Sequence, residues 1–369
     1  MASTDVVCLG ESMVTFLPSR AGRLADVPSF ERSIGGAESN VACTLAGSGH
    51  SVRWVSRVGQ DGFGDHLLET IASRGVDVSA VGRDPLRPTG IYFRTEGERP
   101  TGPTGEAVTS GGPSGGPSGD PGGDPGGAPG GVAEVVYYRA GSAASAMSPD
   151  TVDLAAVDDA RVLHVSGITA ALSEDCLELM RVLTGPREGR PLVSFDVNYR
   201  VGLWERCGGD PRVLLDLARG CDVVFAGEDE TAAACGVTGG PSALREALPE
   251  PAVLVVKQGE RGATAFVGEG AGEEIFVPAL RTEVVGEVGA GDGFAAGFLS
   301  ATLRGLPVRD RLRHGHLTAA AALTVPGDLA EPPPRLLADR LAALDDEAWG
   351  RLRPVPGWNT ASTQKAKTT

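Results

Sequence analysis

The stretch Gly-Glu-Val-Gly-Ala-Gly-Asp-Gly-Phe-Ala-Ala-Gly-Phe, residues 286–298, combines a glycine-rich turn with the start of an apolar helical pattern. The turn at 289–291 can present backbone N–H groups to an anion, and the N-terminus of the following helix adds partial positive charge there. Asp292 follows the turn directly, where its carboxylate could take a proton from an incoming nucleophile. The stretch therefore predicts phosphoryl transfer to a hydroxyl group.

Short β-branched runs alternate with helical patterns on both sides of this stretch. Continuous apolar strands separated by helices are typical of a parallel sheet covered on both faces. The sequence therefore predicts an α/β fold, with a three-layer α/β/α core and a mainly parallel central sheet. The predicted core strands are 6–9, 51–58, 162–166, 192–197, 223–226 and 253–257, and the predicted helices lie near 38–47, 64–74, 174–184, 212–219, 292–304 and 309–324.

Two further strand patterns, 89–94 and 134–139, have no helical pattern between them. We expect them to pair antiparallel and to stand off the main sheet as a lid. Between them, prolines recur at every fourth residue from Pro113 to Pro129 in a tract with few apolar side chains. Such a tract cannot offset its ordering entropy, so we predict a disordered insertion at 100–132, with a flexible tether or partner-binding arm as the alternative.

The composition narrows the class of protein. With 369 residues, 41% of them hydrophobic, the chain can bury a full core, and its net charge of −15 disfavours binding to nucleic acid or to an anionic membrane. No apolar run approaches the ~20 residues of a membrane span. The six cysteines form no C-x-x-C pair, so we expect free buried thiols and a cytoplasmic location.

Several polar and glycine-containing segments are candidates for binding. Gly35 and Gly36 precede a predicted helix that contains Asn40, although a tight turn explains two glycines equally well. The segment 257–262 follows an apolar strand and fits either a nucleotide-facing turn or a plain hairpin. Glu230 lies in a predicted first helical turn, where a carboxylate either caps the helix or holds a magnesium ion through water.

Arg139 and Arg200 each lie where a strand is expected to leave its sheet. The planar guanidinium group donates two parallel hydrogen bonds and suits a carboxylate or a phosphate. A surface salt bridge is the alternative for each of them.

Together these segments resemble the ribokinase-like (PfkB) carbohydrate kinase family over roughly residues 5–328. Residues 35–42 resemble its N-terminal signature and 289–292 its C-terminal one. Within the family, the segments 35–38, 137–143, 166–169 and 196–204 look like those of 2-keto-3-deoxygluconate kinases. The chain departs from the family pattern in four places. Gly286-Glu287-Val288 replaces the usual Asp-Thr-Thr or Asp-Pro-Val, Gly227 replaces the asparagine of an Asn-x-x-Glu pattern, and His316 replaces a common asparagine. The loop between the two lid strands is also longer than is usual in the family.

The resemblance implies a kinase domain at 1–330 with a small β-sheet lid from about 12–35 and 88–140, a C-terminal helical segment at 331–354 and a flexible tail at 355–369. It implies ATP and Mg²⁺ as co-substrate and cofactor, and phosphorylation of 2-keto-3-deoxygluconate to its 6-phosphate. The alternatives are a kinase of a neutral sugar such as fructose or ribose, and a catalytically weak sugar- or nucleotide-binding relative. A homodimer formed through the lid is a further expectation.

The resemblance also assigns roles to individual residues. Asp292 is the expected catalytic base, and Gly289, Ala290 and Gly291 form the expected anion hole. The expected sugar-acid site contains Gly35, Gly36, Asn40, Tyr92, Tyr137, Arg139, Ile168 and Arg200. The nucleotide is expected to border Lys257, Gly259, Gly262, Gly289, Gly291 and His316, and magnesium is expected at Glu230.

Overall fold

The computed structural model describes residues 4–20, 22–94, 135–268, 270, 272–286 and 288–360. The strands in these ranges are β1 (Thr4–Leu9), β2 (Met13–Pro18), β3 (Phe30–Gly35), β4 (Val52–Gly59), β5 (Val81–Asp84), β6 (Ile91–Arg94), β7 (Val135–Tyr138), β8 (Ala160–Ser166), β9 (Leu192–Asp196), β10 (Val223–Gly227), β11 (Val253–Lys257), β12 (Gly262–Val267) and β13 (Glu273–Pro278). The helices are α1 (Ala37–Gly47), α2 (Gly62–Ser73), α3 (Leu154–Asp158), α4 (Gly167–Ala170), α5 (Glu174–Thr184), α6 (Val201–Cys207), α7 (Val213–Arg219), α8 (Glu228–Cys235), α9 (Gly240–Ala247), α10 (Ala290–Leu303), α11 (Val308–Leu323), α12 (Arg335–Ala342) and α13 (Asp346–Arg351).

The large sheet has the strand order β13-β12-β11-β10-β9-β8-β1-β4-β5. Its strands pair parallel from β5 to β11, and β12 and β13 add an antiparallel edge. The predicted mainly parallel sheet is therefore confirmed. The predicted core strands did not include β5, β12 or β13. The side chains of β5 and β13 are mostly half-buried or exposed, and β12 begins with the small residues of 262–264, so none of the three has a long apolar run.

Helices cover both faces of this sheet, and the alternation of side chains along β1 shows why. Val6 and Cys8 belong to one buried cluster, which includes side chains of α1, α2, α10 and α11. Val7 and Leu9 point to the opposite face and belong to a second cluster with side chains of α5, α7 and α9. Two apolar faces on one strand require two layers of helices, which gives the predicted three-layer core.

The smaller sheet has the order β3-β2-β6-β7, and β6 pairs antiparallel with β7 as predicted. Phe16 of β2 stacks on Phe93 of β6 at 4.7 Å between ring centroids, and Phe63 of α2 contacts Phe16 edge-on. These rings occupy one face of the sheet. Because side chains alternate along a strand, Tyr92 points to the other face. The insertion predicted at 100–132 lies outside the described residues.

The C-terminal part of the chain contains α12 and α13, within the segment predicted to be helical. Residues 355–360, which we included in the flexible tail, form a turn instead. Asn359 is buried there and donates a hydrogen bond to the Glu331 carbonyl, while Trp358 packs against the core. These contacts hold the first part of the expected tail against the fold, and 361–369 lie outside the described residues.

The six cysteines are free thiols, as predicted. Four are buried, but Cys235 is half-buried and Cys207 is exposed because it ends the short surface helix α6. Our prediction of buried thiols is therefore wrong for Cys207. Among the described helices, none has both the length and the apolar character that a bilayer span needs.

Candidate active site

Polar side chains collect where the parallel strands of the large sheet end. Glu11 follows β1, Ser166 ends β8, Asp196 ends β9 and Lys257 ends β11. Glu230 lies in the first turn of α8, directly after β10. Carboxyl ends of parallel strands meet at one edge of a sheet, and ligands of such folds bind outside that edge.

The glycine turn that precedes α10 has the backbone geometry of an anion site. Gly289 has φ of 82°, and a Cβ on it would lie 2.3 Å from the Asp328 carbonyl oxygen, so only glycine fits. The N–H groups of the first turn, which starts at Ala290, have no acceptor within the helix. The ammonium group of Lys257 lies 3.6 Å from the position that a Cβ would take on Gly291. The turn therefore combines backbone donors with a nearby positive charge.

The two sequence signatures meet at the expected catalytic base. Asn40 Nδ2, in the second turn of α1, donates a hydrogen bond of 2.8 Å to Asp292 Oδ2, across 252 residues of sequence. The helix starts this close to β1 because Gly36 precedes it: a Cβ there would lie 2.3 Å from the Glu11 carbonyl oxygen. Asn40 therefore orients the carboxylate beside the anion turn.

Four charged side chains lie together at the ends of β9, β10 and β11. Lys257 Nζ donates to both oxygens of Asp196, at 2.8 and 3.0 Å. Arg200 Nη1 lies 3.5 Å from Glu230 Oε1. Burial raises the pKa of the Asp196 carboxyl, and the Lys257 ammonium group opposes that rise. The structure thus brings together one residue predicted for the nucleotide, Lys257, one for the sugar, Arg200, and the one for the metal, Glu230. Asp196 was not among the predicted site residues, although it begins the segment 196–204 that carried the resemblance.

The smaller sheet contributes a second polar cluster. Tyr92 and Tyr137 lie opposite each other on β6 and β7, with ring centroids 5.3 Å apart. Tyr92 donates a hydrogen bond of 2.6 Å to Asp328 Oδ2, and Arg94 Nη2 lies 3.2 Å from Asp328 Oδ1. A Cβ on Gly35 would lie 2.3 Å from Asp328 Oδ2, so this glycine leaves room for the carboxylate.

Asp328 was missed by the sequence analysis, since it lies in a loop with no local signal. Burial raises the pKa of its carboxyl, and Arg94 opposes the rise. Its backbone borders the anion turn while its side chain contacts the smaller sheet, so this residue connects the two halves of the site.

Arg139 forms a buried ion pair with Glu11, through Nη2 and Oε2. The two residues are 8% and 2% exposed, so the surface salt bridge that we left open is wrong for Arg139. Ser142 Oγ donates a hydrogen bond of 2.7 Å to Glu11 Oε1, and the guanidinium group lies 5.7 Å from the Tyr137 ring centroid. Arg139 Nε has no hydrogen-bond acceptor within the described residues. The pair joins the smaller sheet to the end of β1.

The segment with Gly259 and Gly262 forms a tight turn between β11 and the antiparallel strand β12. Gln258 N donates to the Gly262 carbonyl at 2.9 Å, and both glycines have positive φ. The backbone of 257–262 is therefore a hairpin turn, which was one of the two structures predicted for this segment. Arg261 Nη2, which lies in this turn, is 2.5 Å from Glu228 Oε2.

His316 lies in the core between helices. Its Nε2 is 3.1 Å from the Val277 carbonyl oxygen, and its ring packs edge-on against Phe294 at 5.1 Å. Burial lowers its pKa to about 4, so the ring is neutral at neutral pH. These contacts give His316 a packing role, and no contact in the described residues connects it with the Lys257 cluster.

Glu38, in the first turn of α1, was not among the predicted site residues. Its carboxyl is fully buried, and Oε1 accepts hydrogen bonds from Ser166 N, Ser166 Oγ and Thr169 Oγ1 at 3.1, 2.7 and 3.1 Å. The half-buried Ile168, which we assigned to the sugar, lies in the same turn, and its N–H donates to Ser166 Oγ at 3.2 Å. Burial raises the pKa of Glu38 to about 7.

Comparisons with known proteins agree with this geometry. The model of the family described as pfkB family carbohydrate kinase matches residues 3–103 and 127–334. The 2-dehydro-3-deoxygluconokinase of Bacillus subtilis (strain 168) is 33% identical over 335 residues, which cover 90% of this chain and 93% of that protein. The 2-dehydro-3-deoxygluconokinase of Thermoproteus tenax is 34% identical over 349 residues, covering 93% and 96%. The crystal structure of a PfkB protein from Polaromonas sp. JS666 superposes with a TM-score of 0.72 at 31% identity, covering 91% of this chain and 99% of that one. The chain therefore belongs to the pfkB family of carbohydrate kinases, as its sequence motifs predicted.

Proposed function

We propose that this sugar kinase transfers the γ-phosphoryl group of ATP to the terminal hydroxyl of 2-keto-3-deoxygluconate, a sugar acid, and forms its 6-phosphate. The observation that carries the reaction is the Asp292 carboxylate, bonded to Asn40 and placed in the first turn of α10 beside the anion turn. The substrate class is supported by the names of the Bacillus and Thermoproteus relatives, because 2-dehydro-3-deoxygluconate is the same compound.

Each group at the anion turn has a defined task in this reaction. Asp292 accepts the proton of the sugar hydroxyl as that oxygen attacks the phosphorus. The N–H groups of residues 289–291 bind the oxygens of the transferred group, whose charge is spread over them in the transition state. Lys257 adds positive charge near Gly291 while its bonds to Asp196 hold it in position.

The cluster at the ends of β9 and β10 fits a magnesium ion. Mg²⁺ prefers oxygen ligands and is commonly held by one or two carboxylates, waters and substrate phosphates. Asp196 and Glu230 supply such carboxylates, and Gly227 leaves the space in which Glu230 Oε2 lies, since a Cβ there would be 2.8 Å from that oxygen. When bound, the ion would neutralise charge on the ATP phosphates.

We expect Glu230→Gln to raise the Mg²⁺ concentration for half-maximal activity about tenfold, because an amide is a weaker ligand than a carboxylate. Titrating activity with MgCl₂ at saturating ATP and sugar acid measures this change. Asp229→Asn is the matched control, since Asp229 is exposed in the same helical turn and should leave the titration unchanged. Identical titration curves for Glu230→Gln and wild type would remove Glu230 from the metal site.

The sugar acid is proposed to bind between the end of the large sheet and the smaller sheet. Tyr92 of β6, Tyr137 of β7 and Arg139 after β7 would contribute from the smaller sheet, and Arg200 from the start of α6. Closure of the smaller sheet as a lid would exclude water and limit ATP hydrolysis. A dimer formed through this lid and a cytoplasmic location stay predictions.

A kinase of a neutral sugar is the second candidate, because the guanidinium group of Arg139 is already paired with a carboxylate. ATP consumption measured with a panel of sugars and sugar acids separates the two. We expect kcat/KM to be highest for 2-keto-3-deoxygluconate. A higher kcat/KM for fructose would overturn the acid assignment, and ATP turnover that no sugar stimulates would indicate a binding protein without catalysis.

We expect Arg139→Lys to raise KM for the sugar acid about tenfold while leaving KM for ATP unchanged. Lysine can keep the ion pair with Glu11, but it lacks the second guanidinium edge that binds a carboxylate bidentately. Arg181→Lys, at an exposed position on α5, is the control for the substitution itself. An unchanged KM for the acid in Arg139→Lys would mean that this arginine does not bind the carboxylate.

A further inference from the structure

Glu38 is a buried carboxyl that none of the steps above uses. It is 0% exposed, and its carboxyl accepts hydrogen bonds from Ser166 and Thr169. Taking a carboxylate out of water is costly, and three hydrogen bonds to Oε1 offset only part of that cost. A buried carboxylate of this kind lowers the stability of the fold whenever it is charged. A contribution to catalysis would explain its presence.

The surrounding backbone leaves space for this carboxyl. A Cβ on Gly10, at the end of β1, would lie 2.1 Å from Glu38 Cδ and 2.3 Å from its Oε2. The carboxyl therefore lies directly against the main chain at the end of β1. Any side chain at position 10 would have to displace it.

Glu38 also connects the two parts of the site that act on the sugar. On one side it accepts the hydrogen bonds from Ser166 and Thr169, which hold the turn that contains Ile168. On the other side it shares the start of α1 with Asn40, which binds Asp292. The titratable groups that face it are Asp292 from α10 and the buried thiol of Cys8 from β1. Burial keeps that thiol neutral by raising its pKa, so Asp292 is the charged neighbour.

We propose that Glu38 is a positioning residue for phosphoryl transfer, whose negative charge fixes the 166–169 turn against α1 and strengthens Asp292 as a base at the expense of stability. A second negative charge near Asp292 raises the affinity of that carboxylate for a proton. A stronger base takes the hydroxyl proton more readily. This inference rests on the proposed kinase reaction and adds a residue that does not touch the substrate.

The effect on stability has a defined sign. The pKa of Glu38 is about 7 in the folded protein, above its ordinary value of 4.5, so the fold favours the protonated form. The native state then binds more protons than the unfolded chain between these two values, and stability falls as pH rises through that window. Above pH 7 the cost is complete. Glu38→Gln removes it, so we expect this variant to melt about 4 °C above wild type at pH 8 and at nearly the same temperature at pH 4.

The effect on catalysis has the opposite sign. We expect the ratio of wild-type kcat to Glu38→Gln kcat to be about tenfold at pH 8 and to approach one below pH 6, where Glu38 is protonated and resembles glutamine. The titration of ATP and of its magnesium complex affects kcat of both proteins equally, so it cancels in this ratio. KM for ATP should stay unchanged, because the nucleotide side of the site does not contact Glu38.

Two further variants sharpen the test. Ser166→Ala removes two hydrogen bonds of the Ser166 hydroxyl, the one that it donates to Glu38 Oε1 and the one that it accepts from Ile168 N. Because these bonds connect Glu38 to the 166–169 turn, we expect this variant to lower kcat as well. Thr184→Val, a buried threonine bonded to Met180 O within α5, is the matched control and should keep wild-type kcat.

Equal kcat for wild type and Glu38→Gln at pH 8, or a ratio that does not change with pH, would overturn the inference. A Glu38→Gln variant that is less stable than wild type at pH 8, or that does not fold, would show a structural role instead. A wild-type enzyme without sugar-dependent ATP turnover would reject the proposed function, and the two failures are thus distinguishable.

Discussion

Replacing Asp292 with asparagine is expected to lower kcat about 10³-fold and to leave the Kd for ATP within about twofold of wild type. Asparagine has nearly the same shape, and its carbonyl oxygen can still accept the bond from Asn40 Nδ2. What it lacks is the ability to take the hydroxyl proton. Steady-state turnover of 2-keto-3-deoxygluconate and ATP titration by calorimetry measure the two quantities separately.

The control for this change is Asp310→Asn, which makes the same substitution in the first turn of the neighbouring helix α11. It should leave kcat unchanged. If Asp292→Asn kept kcat within tenfold of wild type, Asp292 would not be the base, and the proton would have to leave by another route.

The second large effect is expected at Gly289. Gly289→Ala places a side chain at φ of 82° and 2.3 Å from the Asp328 carbonyl oxygen, so either the turn or the Asp328 loop must move. Moving the turn displaces the N–H groups that bind phosphate, and moving the loop displaces the carboxylate that binds Tyr92. We expect kcat/KM for ATP to fall about 100-fold, from the loss of oriented donors.

Gly305→Ala separates backbone strain from close contact. Gly305 follows the other end of α10 with φ of 70°, and a Cβ there would meet no described atom within 4 Å. Both variants should lose about 1–2 kcal/mol of stability from the left-handed conformation. Only Gly289→Ala should lose catalysis, and equal activity of the two variants would show that the close contact at Gly289 does not matter.

The local patterns of the sequence were sufficient for the fold class. The strands β10 and β11 are continuous apolar runs, and such runs are informative because both faces of the strand are buried. The glycine turn at 289–291 and the carboxylate after it also form a local pattern, so the sequence was sufficient to propose them together as the phosphate-binding half of the site. The edge strands β5 and β13 were not, because their burial depends on neighbours distant in sequence.

The contacts of individual side chains could not be predicted from local patterns in the sequence. Arg139 was predicted as a substrate ligand, but its pairing with Glu11 could not be anticipated, since the two residues come from different sheets. His316 was placed near the nucleotide by its position in the chain, whereas its packing against Phe294 depends on how α10 and α11 meet. Asp328 carried no sequence signal of a role, because a single carboxylate in a loop has no pattern of its own. Glu38 lies within the signature at 35–42, but nothing in that segment shows that its side chain is buried against 166–169.

The sequence by itself therefore determined the reaction type: a glycine turn, a helix N-terminus and one carboxylate are adjacent in the chain and need no tertiary contact to be recognised. The tertiary structure alone decided how that carboxylate is held and what surrounds it. Asn40 reaches Asp292 across 252 residues, and Tyr92 reaches Asp328 across 236. Contacts at such separations follow from the packing of the sheets and helices, and packing is a property of the whole chain.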